Sequence, residues 1–165
     1  MSLSVAAADL LTVPVSDGEM AVPVADDEFV WTGFYAGLYA VSQSGSLNGG
    51  QLGLGLDFGV NAQMDFVLVG GEVAVMGLDG AAGATTYVQA LARGGLLASD
   101  DVLLYATAGY GADLGAAAET DLLLGAGVEL AVGGDVSLRA QYLHGFPVTG
   151  ANTKDQVTLG ANVHF

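Results

Sequence analysis

From Val157 to Phe165 every second residue is apolar: Val157, Leu159, Ala161, Val163 and Phe165 alternate with Thr158, Gly160, Asn162 and His164. A period of two marks a strand with one apolar and one polar face. The same alternation recurs along the chain. It is clearest over Gln51–Val60, where Leu52, Leu54, Leu56, Phe58 and Val60 interleave with Gln51, Gly53, Gly55, Asp57 and Gly59. Read throughout, it predicts strands at about 30–41, 51–60, 64–77, 85–97, 102–112, 120–132, 136–146 and 153–165. Apolar residues make up 52% of the chain and mean hydropathy is +0.54, yet no apolar run reaches the ~18–20 residues of a membrane helix. Two architectures remain: a large soluble core, or a transmembrane barrel whose strands show lipid only every second residue.

Eight strands of this length suffice to cross a bilayer, which takes about 9–11 tilted residues. The connections alternate. Short turns are expected near Asn61, Asp100 and Gly134, and longer ones at 42–50, 77–84, 113–119 and 147–153, as for the periplasmic turns and outer loops of an up-and-down barrel. After Pro23 the one proline is Pro147, expected outside any strand, which suits a sheet that needs its ladder donors. The chain divides into an irregular acidic N-terminal segment, 1–28, and a barrel, 29–165. In the first, Ala6-Ala7-Ala8 before Asp9 reads either as a signal-peptide remnant with a small-residue cleavage site or as part of an acidic tail.

Trp31-Thr32-Gly33-Phe34-Tyr35-Ala36-Gly37 resembles the opening of small eight-stranded outer-membrane proteins of the porin family, related to the OmpA-like transmembrane domain. Leu104-Tyr105-Ala106 with Gly109, and the terminal Phe165, add to the resemblance, which covers roughly 30–165. It implies an all-β, eight-stranded antiparallel up-and-down barrel in the bacterial outer membrane, surrounded by outer-membrane lipid. It also implies that Phe165 belongs to a signal read by the barrel assembly machinery during insertion.

The two faces of the strands differ in kind. Phe34, Phe58 and Phe165 fall near the periplasmic ends of the apolar face, and Tyr110, Tyr142 and Phe146 near the outer ends, with Leu, Val and Ala between. Two aromatic belts around an aliphatic band are expected of a barrel in lipid. A soluble ligand-binding barrel would instead turn its apolar residues inward. The other face collects glycines, Tyr35, Tyr39, Tyr87 and Tyr105, and the charges Asp57, Glu72, Arg93, Glu129 and Arg139. Eight strands enclose only enough space for side chains to fill, so these charges are expected to form a network that plugs the lumen. Glu129 and Arg139 sit symmetrically about Gly134 and are expected to pair across the hairpin.

Other chemistry finds little support. A net charge of −15 with three bases excludes nucleic-acid binding, which neutralises phosphates with basic groups. No cysteine is present, so thiol chemistry is absent. Some barrels of this kind hydrolyse or transfer lipid acyl chains with His and Ser. Here His144 is followed by Gly145-Phe146-Pro147, with no serine beside it, so no enzyme is expected. Asp113, Glu119 and Asp121 at the outer rim read as a solvated acidic loop rather than a cation site, and no metal or cofactor is expected. The expected role is structural, in envelope integrity. The alternatives are a narrow passive ion pore and a surface interaction module acting through the outer loops.

Overall fold

The computed structural model describes residues 28–47, 49–81, 83–115 and 119–165. The possible signal-peptide remnant therefore lies outside the described residues. Eight strands follow one another: β1 (Gly33–Gly45), β2 (Gly49–Met64), β3 (Val67–Gly80), β4 (Thr85–Ser99), β5 (Val102–Asp113), β6 (Thr120–Gly133), β7 (Val136–Thr149) and β8 (Lys154–His164). Each pairs antiparallel with its sequence neighbours, and β8 pairs with β1 to close the barrel. Reciprocal bonds between Phe34 and Phe165, N–H to carbonyl at 3.0 and 2.9 Å, fasten the seam. Closure leaves no free sheet edge and satisfies the ladder without water, as a bilayer demands.

The expected faces are present. Leu159 is 61% exposed while Glu129 is wholly buried, the inverse of a water-soluble protein. Leu54, Leu56, Val73, Leu104, Leu138 and Val163 all stand on the outer wall. Following paired residues from Tyr35 through β2 and onward to Lys154 returns to β1 at Gly45, well up the strand from Tyr35. This stagger tilts the strands. The register therefore climbs from the end holding the chain terminus (the terminal end) toward the opposite, loop end.

Four tyrosines occupy seats made by glycines on the next strand. A Cβ on Gly55, Gly59, Gly111 or Gly127 would run into the ring of Tyr39, Tyr35, Tyr87 or Tyr105 respectively. The glycines of the inner face thus exist to admit rings into a narrow lumen.

Three boundaries differ from the sequence reading. The first tight turn lies at Asp65–Phe66, not near Asn61. Asn61 stays in β2, paired with Gly33 and Gly70, because the ladder outweighs its turn preference, and Asp65 takes the left-handed conformation, φ 54°, that Asp tolerates. Pro147 lies inside β7. It sits where the β6–β7 register shifts between Thr120 and Asp121, the bulge at which a residue without an N–H is admitted. Finally, β1 begins at Gly33 rather than Val30, and Phe29 and Trp31 tuck under the terminal end of the barrel. With most strands longer than expected or shifted toward the loop end, the loop-end connections shrink to 46–48, 81–84, 114–119 and 150–153.

Candidate functional site in the barrel lumen

The inward side chains form four layers. At the terminal end Phe29 and Trp31 pack with Leu68, Leu103 and Tyr105. The Trp31 indole N–H donates to the Asp100 carbonyl at 2.9 Å, which pins the segment across the mouth. Both rings also meet His164 edge-on, with centroids 4.8 and 5.7 Å away.

Above this plug lies a belt of charge holding Asp57, Glu72, Arg93, Glu129 and Arg139, all buried. Arg93 Nη2 donates to Glu129 Oε2 at 2.7 Å, and Arg93 Nη1 to the Tyr35 hydroxyl at 2.9 Å. Tyr35 in turn donates to Glu72 Oε2 at 2.7 Å. Arg139 donates to Glu72 and, at 2.5 Å, to Asp57 Oδ2. Ser137 and Asn162 donate to Glu129 Oε1 at 2.6 and 2.9 Å. The Arg93 guanidinium also stacks 4.1 Å from the Tyr105 ring. Charge and hydrogen bonds stabilise both guanidinium groups out of water, and aromatic faces add to this at Arg93.

Glu129 and Arg139 face each other in the β6–β7 register, as their spacing about Gly134 implies. The expected pairing between them is corrected: Glu129 is taken by Arg93 and Arg139 by Asp57 and Glu72. The lumen is narrow enough that a long side chain reaches across it as easily as along the wall.

The third layer is apolar, built from Val41, Met76, Leu78, Leu91, Leu123 and Leu143 with Tyr39 and Tyr87. The fourth, at the loop end, is polar. Gln156 donates to Gln43 at 2.7 Å and Gln43 to Gln51 at 3.2 Å. Lys154, 1% exposed, bonds Asp121 at 2.7 Å and Glu119 at 3.1 Å, and Tyr87 donates to the same Asp121 oxygen at 2.8 Å. Two of the three acids read as a solvated rim are thus engaged by a buried lysine. All three bases of the chain point into the lumen. Lys154 shares the inward parity of Gln156 and Thr158, and that alternation is the signal that places it in the lumen.

On the wall, Phe34, Phe58 and Phe165 pack side by side, centroids 5.8–6.5 Å apart. Tyr110, Tyr142 and Phe146 are exposed on the same outer surface, with Tyr110 and Phe146 toward the loop ends of β5 and β7 and Tyr142 midway along β7. One polar cluster interrupts the wall. Asp155 Oδ1 accepts the Tyr142 hydroxyl at 2.5 Å and lies 2.7 Å from His144 Nδ1.

Ser137, His164 and Glu129 come together, although the sequence separates them. Their geometry differs from a hydrolytic triad. Ser137 Oγ donates to the carboxylate, and His164 Nε2 lies 3.0 Å from that hydroxyl and 3.2 Å from the same carboxylate oxygen. A triad needs the hydroxyl proton on one ring nitrogen and the acid on the other. Here Nδ1 has no hydrogen-bond partner. Among the described residues no group of three or more His, Cys, Asp or Glu is placed to hold a metal ion.

No protein-family model matches the chain, and no curated protein matches it. Solved structures do. Ail, the attachment invasion locus protein of Yersinia pestis, superposes with a TM-score of 0.63 at 16% identity, over 81% of this chain and 99% of its own. Neisserial surface protein A superposes with 0.57 at 19% identity, over 81% and 98%. The N-terminal β-barrel domain of Pseudomonas aeruginosa OprF superposes with 0.59 at 12% identity, over 79% and 97%. At these identities the likeness is one of fold, and the fold is that of the small eight-stranded transmembrane barrels of bacterial outer membranes.

Proposed function

We propose that the protein is a closed structural barrel of the bacterial outer membrane that contributes to envelope integrity. The observation that carries this reading is the stacking of a paired ionic belt between two apolar layers. A water-filled pore requires a continuous polar path, and the side chains of Leu123, Leu143, Met76 and Leu91 on one side and of Trp31, Phe29, Leu68 and Leu103 on the other interrupt it. The loop-end connections are short, which disfavours an adhesive surface. No reaction is assigned, since the Ser137 proton is committed to a carboxylate inside a sealed lumen. In this reading the terminal end faces the periplasm.

Deleting the gene tests the role. Mutant cells should leak periplasmic enzymes and become detergent-sensitive, with small-solute uptake unchanged. Slower uptake without leakage would instead support a pore.

Phe165 serves as the assembly signal in this reading. It caps the seam with Phe34 and packs on the apolar wall. Removing it should lower the yield of heat-modifiable protein in the outer membrane several-fold at equal synthesis. Unchanged insertion would remove that role.

A further inference from the structure

The charges of the ionic belt do not cancel. Asp57, Glu72 and Glu129 stand against Arg93 and Arg139, and all five are between 0 and 6% exposed. An excess negative charge enclosed between apolar layers is costly. Taking up one proton on a carboxyl group removes it.

The hydrogen bonds single out the carboxyl. Glu129 is met on both oxygens, by Arg93 on one and by Ser137 and Asn162 on the other. The His164 imidazole lies 3.2 Å from that same group, so a charge on its ring would serve a carboxylate already satisfied. Glu72 leaves Oε1 unpartnered, but its Oε2 takes both Arg139 and Tyr35. Asp57 takes Arg139 alone, on Oδ2, and its Oδ1 meets no donor among the described residues.

Gly37 shows what that oxygen faces. It pairs with Asp57 on one side and with Asn162 on the other, and a Cβ on it would collide with both Asp57 Oδ1 and Asn162 Oδ1. The Asn162 amide is oriented by its own N–H, which donates to Glu129. Two oxygens that only accept thus converge over one glycine, and a hydrogen between them requires the acid form of Asp57.

We propose that Asp57 is a proton-binding site of the lumen. Its Oδ1 carries the proton and donates it to Asn162 Oδ1, while Oδ2 goes on accepting from Arg139. Two carboxylates, Glu72 and Glu129, then balance two guanidiniums. The other titratable groups of the belt are Tyr35 and Tyr39 on β1, Tyr105 on β5 and His164 on β8. Only Arg93 and Arg139 hold a fixed positive charge there, and each already has a carboxylate of its own. An unfolded aspartate is ionised above about pH 4, so folding takes up a proton at neutral pH, and the fold weakens as the pH rises.

Infrared spectra of the full chain folded in lipid at neutral pH test the site. The wild type should show the carbonyl band of a protonated carboxylic acid. The band should shift when aspartate is isotope-labelled, a readout that needs no variant, and should be missing from Asp57→Asn. The asparagine reproduces the acid form, its amide N–H replacing the hydroxyl, so this variant should fold as well as the wild type. The folding constant of the wild type relative to Asp57→Asn should fall by as much as about tenfold per pH unit above about pH 4, as the loss of one bound proton requires. Absence of the band, its survival in Asp57→Asn, or the same pH dependence in both proteins overturns the proposal. So does a stability that follows sodium concentration rather than pH, which would make a metal cation the source of the missing charge.

Discussion

Arg139→Ala should destabilise the folded barrel by about 3–5 kcal/mol, because it leaves the buried Asp57 and Glu72 carboxylates without their shared guanidinium. The arginine bonds both of them and is 4% exposed, so water does little to replace it. Unfolding in denaturant, followed by the loss of heat-modifiable gel mobility, measures the effect. The partner assignment is tested by double-mutant cycles. Arg139 and Asp57 should show a coupling of roughly 1–3 kcal/mol, as expected for groups in contact. Arg139 and Glu129, neighbours in the ladder and linked only through Glu72, Tyr35 and Arg93, should show a smaller coupling, about 0.5 kcal/mol, the low end for members of one network. The reverse order would mean that the ion pairs run along the hairpin rather than across the lumen.

Trp31→Ala should cost a comparable amount, about 3–5 kcal/mol, the range for removing a large aromatic from a packed site. Trp31 is 1% exposed, and it touches Phe29 and His164 and bonds Asp100. Its loss empties the centre of the terminal plug and frees Phe29. The same unfolding assay applies, and a second readout separates plug from wall: hydrogen exchange should rise at the terminal ends of the strands and stay low around Leu123 and Leu143. A loss below about 1 kcal/mol would show that residues 29–31 lie on the barrel rather than seal it.

Much of this architecture is legible in the chain, for a physical reason. A closed barrel forces every strand to alternate between lipid and lumen, so Leu52 to Val60 or Val157 to Phe165 declare both strand and face. The tyrosine–glycine pattern likewise reads as filling because only glycine admits a ring from the next strand. What stays hidden depends on closure. The closure that brings Arg139 within reach of Asp57 and Glu72 across the lumen, although Glu129 faces it in the ladder, is a property of all eight strands together and has no local signal.

The apolar layers of the lumen are hidden for a related reason. Leu68, Met76, Leu103, Leu123 and Leu143 carry inward parity in strands that are apolar on both faces, so nothing in hydropathy separates them from lipid-facing residues. Trp31 is the informative miss. Its parity fits a strand, and only the positive φ of Gly33, 136°, where the chain turns into β1, lets it fold beneath the barrel. Pro147 is the opposite case. A residue expected to end a strand is kept in β7 because a bulge relieves it of its donor.

The central claim is that the lumen is sealed, and single-channel recording in planar bilayers tests it most directly. Purified wild-type protein should give no steady conductance. Arg139→Ala combined with Trp31→Ala, which opens both the ionic belt and the plug, should raise the frequency of brief openings. Steady, voltage-independent channels from the wild type would contradict the account and establish the protein as a pore.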